Sequence, residues 1–138
     1  MNTIENVKLI EFSNLGDERG GLIVIEQERQ IPFDIKRVFY SYGMDDKSVR
    51  GKHANKYSEF CLIALNGSCE IRVLDKQHNE KNFKLNRPNA ALYIPKMIWK
   101  DMYNFSSDCI LLVLSNQFYN KEEYINKLDD YLEGDVND

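Results

Sequence analysis

The sequence predicts an all-β fold, a sandwich or small barrel with one C-terminal amphipathic helix. Three observations carry this expectation. Apolar, β-branched or aromatic runs recur at spacings of about 8–12 residues with turn signals between them. No linker, low-complexity stretch or internal repeat interrupts them, so 138 residues and 16.2 kDa fit one domain over 1–138, with the barrel at about 5–118. The last segment changes to helical periodicity.

Taken in order, Leu22-Ile23-Val24-Ile25 is an apolar run after Arg19-Gly20-Gly21, and Arg37 to Tyr42 is β-branched and aromatic. Glu59 to Leu65 reads as a buried strand stopped at Asn66-Gly67, a dipeptide that signals a two-residue hairpin because a type I′ turn needs positive φ at both central residues. Cys69 to Leu74 alternates apolar and polar residues, as a half-buried strand does. Asp75 to Glu80 is a polar turn containing His78, an exposed loop residue on this reading. Asn82–Leu85, Ala91–Ile94 (ended by Pro95) and Cys109–Ser115 are further strands. Asn120 and Glu123 have capping-box spacing, and Tyr124, Ile125, Leu128, Tyr131 and Leu132 then recur at helical intervals. The expected helix therefore spans about 121–132, with Gly134 as its stop.

Composition narrows the function classes. The net charge of -4 argues against a general nucleic-acid binder. Cys61, Cys69 and Cys109 are an odd set without a CxxC motif, which reads as buried thiols in a reducing compartment. No basic region followed by an apolar one opens the chain, and the longest apolar run, Ile110 to Leu114, is far short of the ~20 residues that cross a bilayer. The expectation is a cytoplasmic protein without a membrane partner.

Chemistry concentrates in two stretches: Val49-Arg50-Gly51-Lys52-His53-Ala54-Asn55-Lys56-Tyr57-Ser58-Glu59, and Pro95-Lys96-Met97-Ile98-Trp99-Lys100-Asp101-Met102-Tyr103-Asn104. Together they resemble the two cupin motifs, which implies a jelly-roll β-barrel. The positions that hold metal in metal-binding cupins fall on His53, Asn55, Glu59 and Lys100. Asn is a weak neutral donor and a protonated Lys repels a cation, so neither metal nor other cofactor is expected. Strand alternation would turn His53, Asn55 and Tyr57 to one face and Lys52, Ala54 and Lys56 to the other.

A narrower resemblance covers nearly the whole chain. It rests on Gly16 to Leu22, Ile31 to Tyr40, Arg50 to Lys56, Leu92 to Pro95, Asn104 to Cys109 and Tyr119 to Ile125, in order and spacing. The chain is similar to the sugar 3,4-ketoisomerases, which act on thymidine-diphosphate (dTDP) 4-keto-6-deoxyglucose on the way to 3-amino-3,6-dideoxy sugars. The resemblance implies a metal-free homodimer with exchanged N-terminal strands and a dTDP-sugar in the barrel mouth. Moving a ketone from C4 to C3 needs a base at C3 and a proton returned at C4, and His53 is the natural shuttle. Arg37 and Arg50 are the expected pyrophosphate contacts, because guanidinium forks match phosphate oxygens. Arg19 and Lys100 map to the sugar end of the pocket. Tyr40, Tyr42 and Trp99 are candidates for stacking on thymine or sugar, and Lys56 for a polar contact.

The chain departs from the family at Asn55, where a second His usually stands. Asn can hydrogen-bond a sugar oxygen but cannot cycle a proton. Three readings follow: an engineered or impaired ketoisomerase, a natural enzyme in which His53 alone carries the proton, or a non-catalytic nucleotide-sugar-binding module. A 3,5-epimerase-like cupin is a further alternative. Lys100 stands where His or Arg is frequent and could polarise a carbonyl or stabilise an enolate. The acidity itself lies at the C-terminal end: from Asn120 onward two basic residues face seven acidic ones, so the remainder is slightly basic and suited to a diphosphate.

Overall fold

The computed structural model describes residues 1–134. Ten strands follow in chain order: β1 (Lys8–Glu11), β2 (Arg37–Tyr42), β3 (Arg50–Asn55), β4 (Phe60–Asn66), β5 (Cys69–Leu74), β6 (Glu80–Leu85), β7 (Ala90–Ile94), β8 (Trp99–Tyr103), β9 (Ile110–Ser115) and β10 (Tyr124–Ile125). One sheet has the order β1-β7-β4-β9-β2 and the other β10-β3-β8-β5-β6, and every pairing is antiparallel. Two five-stranded sheets face to face are the jelly-roll solution to burying one side of each sheet.

Period-two alternation decides what each strand buries. Along β4, Phe60, Leu62 and Ala64 turn inward and meet Ile71, Val73, Leu92, Ile94, Leu111 and Val113 between the sheets. Cys61 and Ile63 turn outward and are covered by Phe12, Ile31 and Phe33. The run Leu22–Ile25 belongs to this cover. It forms no strand; Ile23 and Ile25 pack on the outer face while Leu22 and Val24 stay exposed. An apolar run signals burial, and here loop packing supplies it without a ladder partner.

Two further expectations change. Asn66-Gly67 does not close a hairpin, because β4 and β5 lie in different sheets. Only Gly67 takes positive φ (67°), and a Cβ there would meet Ser106 Oγ at 2.2 Å. The C-terminal helix is also shorter than 121–132. Asn120 accepts a bond from Glu122 N at 3.0 Å and caps only a single 3-10 turn, Lys121–Glu123. β10 follows and pairs with β3, and helix α1 covers Leu128–Glu133 alone. Sheet pairing of Tyr124 with Asn55 and Ile125 with Ala54 overrides helical periodicity at this point.

Helix α1 covers the outer face of the second sheet. Tyr131 is fully buried against Trp99, Leu74, Met97 and Ala54, and its hydroxyl donates its one proton between the Met97 carbonyl at 2.7 Å and the Leu74 carbonyl at 3.1 Å. The three cysteines are free and buried, and burial pushes the Cys61 and Cys69 thiols up to about 12. Among the described residues no helix is long and apolar enough to cross a membrane.

Candidate active site

A cavity of about 380 Å³ opens between the sheets at the ends of β2, β3, β8 and β9. Its walls are mostly apolar: Phe39, Phe60, Leu62, Met102, Leu111 and Val113. Into these walls project Arg50, His53, Lys100 and Tyr124. Apolar walls with a few converging polar groups are the usual make-up of a small-molecule site.

The local geometry of β3 aims His53. A register shift separates Gly51, opposite Asp101, from His53, opposite Lys100, so Lys52 is an extra residue. Gly51 (φ 79°) and Lys52 (φ 56°) both adopt left-handed backbone, and a Cβ at Gly51 would sit 3.0 Å from the Lys100 carbonyl oxygen. Beyond this bulge His53 and Asn55 face the cavity side and Ala54 packs outward under Tyr131.

His53 and Lys100 are therefore a directly opposed cross-strand pair. The Lys100 ammonium is buried, donates to Asn55 Oδ1 at 3.3 Å and stands 4.1 Å from the centre of the Phe60 ring. Burial pushes its amine down to about 7; the Glu123 carboxylate opposes this and Arg37 adds to it. His53 meets Tyr124 edge-on at 4.8 Å. Burial and then the Lys100 charge hold its imidazole down at about 3, so it is neutral in the unliganded cavity.

Arg37 enters from β2. One guanidinium nitrogen donates to the Tyr124 hydroxyl at 3.3 Å, and the plane lies among Phe39, Phe60 and Tyr119 at 5.3–5.8 Å. Among the described residues its Nε and Nη2 are buried without partners, as are His53 Nδ1 and Asn55 Nδ2. Unmatched buried polar atoms cost free energy unless a ligand satisfies them. Their convergence marks this as the place for a polar ligand.

The structure brings His53, Lys100 and Arg50 into the cavity lining, with Arg50 exposed at the rim, and places Asn55 and Arg37 just behind it, bonded to Lys100 and Tyr124. Tyr40 and Tyr42 turn the other way: Phe39 and Ser41 line the cavity, and the tyrosines are 64% and 74% exposed. Trp99 is buried on the outer face beneath α1, with its indole N–H 3.1 Å from Asp101. Lys56 lines a different, outer groove with Lys76, Lys127 and Asp130. Tyr57 is exposed beyond the end of β3. Arg19 sits on an exposed turn, paired with Asp17 at 2.6 Å.

Glu59 also leaves the metal-ligand position the motif suggests. Phe60 holds the inward place at the start of β4, while the Glu59 carboxylate takes the Tyr93 hydroxyl and the Asn116 amide in another groove. The donors beside His53 are then an amide and an amine, a set without a carboxylate that does not suit a divalent cation.

The sequence reading missed Tyr124, Phe39, Phe60 and Glu123. Glu123 is buried beneath the site and accepts from Tyr57 N (2.9 Å), Ser58 N (2.8 Å) and Ser58 Oγ. The capping-box spacing that identified it pointed to a helix that does not form. Phe39 had a usable signal, since alternation from Arg37 places 37, 39 and 41 on one face.

A jelly-roll cavity lined by a neutral imidazole and a buried amine, with a guanidinium beside it, defines a small-molecule class of cupin. The chain belongs to the family described as FdtA: WxcM-like, C-terminal, whose profile matches residues 5–135. It is 39% identical over 124 residues to the TDP-4-oxo-6-deoxy-alpha-D-glucose-3,4-oxoisomerase of Aneurinibacillus thermoaerophilus, covering 90% of this chain and 88% of that one. It is 47% identical to the Campylobacter jejuni TDP-fucose-3,4-ketoisomerase WlaRA, at a TM-score of 0.87 over 93% and 94% of the two chains. A His-to-Asn mutant of the 3,4-ketoisomerase QdtA from Thermoanaerobacterium thermosaccharolyticum, in complex with TDP-4-keto-6-deoxyglucose, aligns at 41% identity and a TM-score of 0.89 over 93% and 92%.

Proposed function

We propose that this chain is a 3,4-ketoisomerase acting on dTDP-4-keto-6-deoxyglucose. The observation that supports the reading is a cavity lined by Arg50, His53 and Lys100, with Arg37 and Asn55 bonded to its lining residues Tyr124 and Lys100. His53 removes the C3 proton, the electron pair moves through C3–C4 to the C4 oxygen, and an enediolate forms. Cationic Lys100 and Arg37 stabilise its charge inside low-dielectric walls. The Arg50 guanidinium at the rim holds the pyrophosphate. The enzyme serves biosynthesis of 3-amino-3,6-dideoxy sugars for surface polysaccharide or glycan, and works in the cytoplasm.

Two features of the chain support a homodimer with exchanged N-terminal segments. Leu15, Leu22 and Val24 on the arm and Val38, Tyr40 and Tyr42 on edge strand β2 are exposed apolar side chains. β1 pairs with β7 of its own chain, so the crossing segment on this reading is the arm over 13–26. Crossing would deliver Arg19 to the partner's cavity. Light scattering on the purified protein checks this, and a monomer at micromolar concentration would sink it.

The activity is tested by incubating the ketosugar with the protein in heavy water and following it by NMR. Deuterium at C3 and appearance of the 3-keto isomer are expected. Neither exchange nor isomer, in this chain and after Asn55→His, would reject the enzyme. Tight thymidine diphosphate binding in that case would favour the binding module, the reading that Asn55 keeps in view.

A further inference from the structure

Isomerisation adds and removes protons at two carbons, and the cavity holds one imidazole. We infer that Lys100 is the second proton carrier, delivering a proton to C4 after His53 has taken the one from C3. This rests on the ketoisomerase reading and deepens it, since an electrostatic role alone would leave Lys100 with its proton throughout.

The geometry supports two carriers side by side. His53 on β3 and Lys100 on β8 are directly opposite residues, and directly opposed antiparallel residues have Cβ atoms about 4.5–5.5 Å apart. Neighbouring sugar carbons are ~1.5 Å apart, so one substrate pose presents C3 to the imidazole and C4 to the amine. Lysine has donors only, so the Asn55 amide must turn its oxygen toward Nζ, as seen at 3.3 Å. The residue that cannot cycle a proton thus holds the residue that can. Phe60 walls the other side of the amine at 4.1 Å. The charged and titratable groups around Lys100 are His53 from β3, Arg37 from β2, and Glu123 and Tyr124 from the segment after β9. Their combined effect, with burial, brings the amine near neutrality, where it can both give and regain a proton.

The steps balance. The C3–H proton goes to His53, and its electron pair forms C3=C4 while the C4 carbonyl pair moves to O4. The O3 proton passes to O4, C3=O3 forms, and the C3=C4 pair takes a proton from the Lys100 ammonium to make C4–H. Imidazolium and neutral amine remain, and a proton returned from His53 to Lys100, directly or through solvent, restores both.

The test separates C3 exchange from isomer formation in Lys100→Arg, Lys100→Met and Lys100→His. Arg keeps the charge but cannot release a proton. Expected for Arg is continued C3 deuterium uptake with a loss of isomer formation of about 10²–10⁴, the usual contribution of a general acid; Met, which also loses the charge that steadies the enediolate, slows exchange but loses isomer formation further, and His restores isomer. Isomer formation by the Arg variant at the parent rate, or a parallel fall of exchange and isomer in both variants, overturns the inference. Should the variants not fold, the parent protein decides with C3-deuterated substrate in ordinary water. In a single turnover separate carriers leave C4 unlabelled, and deuterium carried from C3 to C4 of the same molecule overturns the inference. Absence of both exchange and isomer in the parent instead rejects the ketoisomerase reading itself.

Discussion

Replacing Glu123 with Gln removes one buried charge and almost no volume. The carboxylate receives three hydrogen bonds, from Tyr57 N, Ser58 N and Ser58 Oγ. Bonds to charged groups contribute about 1.5–3 kcal/mol each and neutral ones about 0.5–1.5 kcal/mol. Gln can keep the two backbone donors on its oxygen and turn its amide toward Ser58 Oγ, so each bond weakens without being lost. The expected cost is then roughly 3 kcal/mol, about 1 for each of the three bonds. A second effect adds to this below neutrality. Glu123 supports the Lys100 ammonium, and without it the amine falls further below about 7. At pH 9 Lys100 is neutral in the folded protein and the deficit is the hydrogen-bond loss alone; at pH 6 the lost charge pairing enlarges it. Urea unfolding at both pH values measures the two parts. A deficit under about 0.5 kcal/mol at both, the level of an ordinary surface substitution, would refute the reasoning.

Other consequences follow from the same geometry. His53 is held at about 3, below its unfolded value of 6.5, so the unfolded chain binds more protons between these values and stability falls as pH drops through that window; His53→Gln should flatten the fall in urea midpoints, and an unchanged slope would count against it. Lys100, lowered from 10.5 to about 7, makes stability rise with pH between those values. Lys100→Met should remove that rise and raise stability at pH 7, read from the same titration. Arg50→Ala should weaken thymidine diphosphate binding about 10–100-fold by calorimetry, the worth of one charge-assisted contact, with little change in kcat; unchanged affinity would take Arg50 off the phosphates. The buried thiols of Cys61, Cys69 and Cys109 should resist a thiol reagent at pH 8 until the protein unfolds. Rapid modification of the folded protein would contradict their burial.

Much of the fold was legible because alternation and turn residues are local signals. Strands β2, β4, β5, β7 and β9 lie within a residue or so of their expected places. What escaped were features set by partners distant in sequence. β1 is four residues paired to the edge of β7, and β10 is two residues made a strand by β3. Tyr124 carries a helical pattern and is recruited to a sheet. The motif located His53, Asn55 and Lys100, since a β3–β8 pairing follows from the cupin resemblance, but Tyr40, Tyr42 and Trp99 are aromatic residues whose facing depends on register. A bulge at Gly51–Lys52 resets that register in β3, and nothing in a one-dimensional pattern reveals which face follows it.

The two-residue strand β10 has a consequence for when the site can exist at all. It brings Tyr124 to His53 and Arg37, and the turn before it brings Glu123 beneath Lys100. That wall therefore comes from residues 123–125, whereas the other walls come from residues 39–113. During synthesis the two sheets can collapse around their shared core while this flank is still missing, leaving Arg37 and His53 in contact with water. Binding competence arrives only once residues 123–125 have been made and have paired with β3, and a protease cut in the 116–120 connection would leave a folded barrel that has lost its side wall.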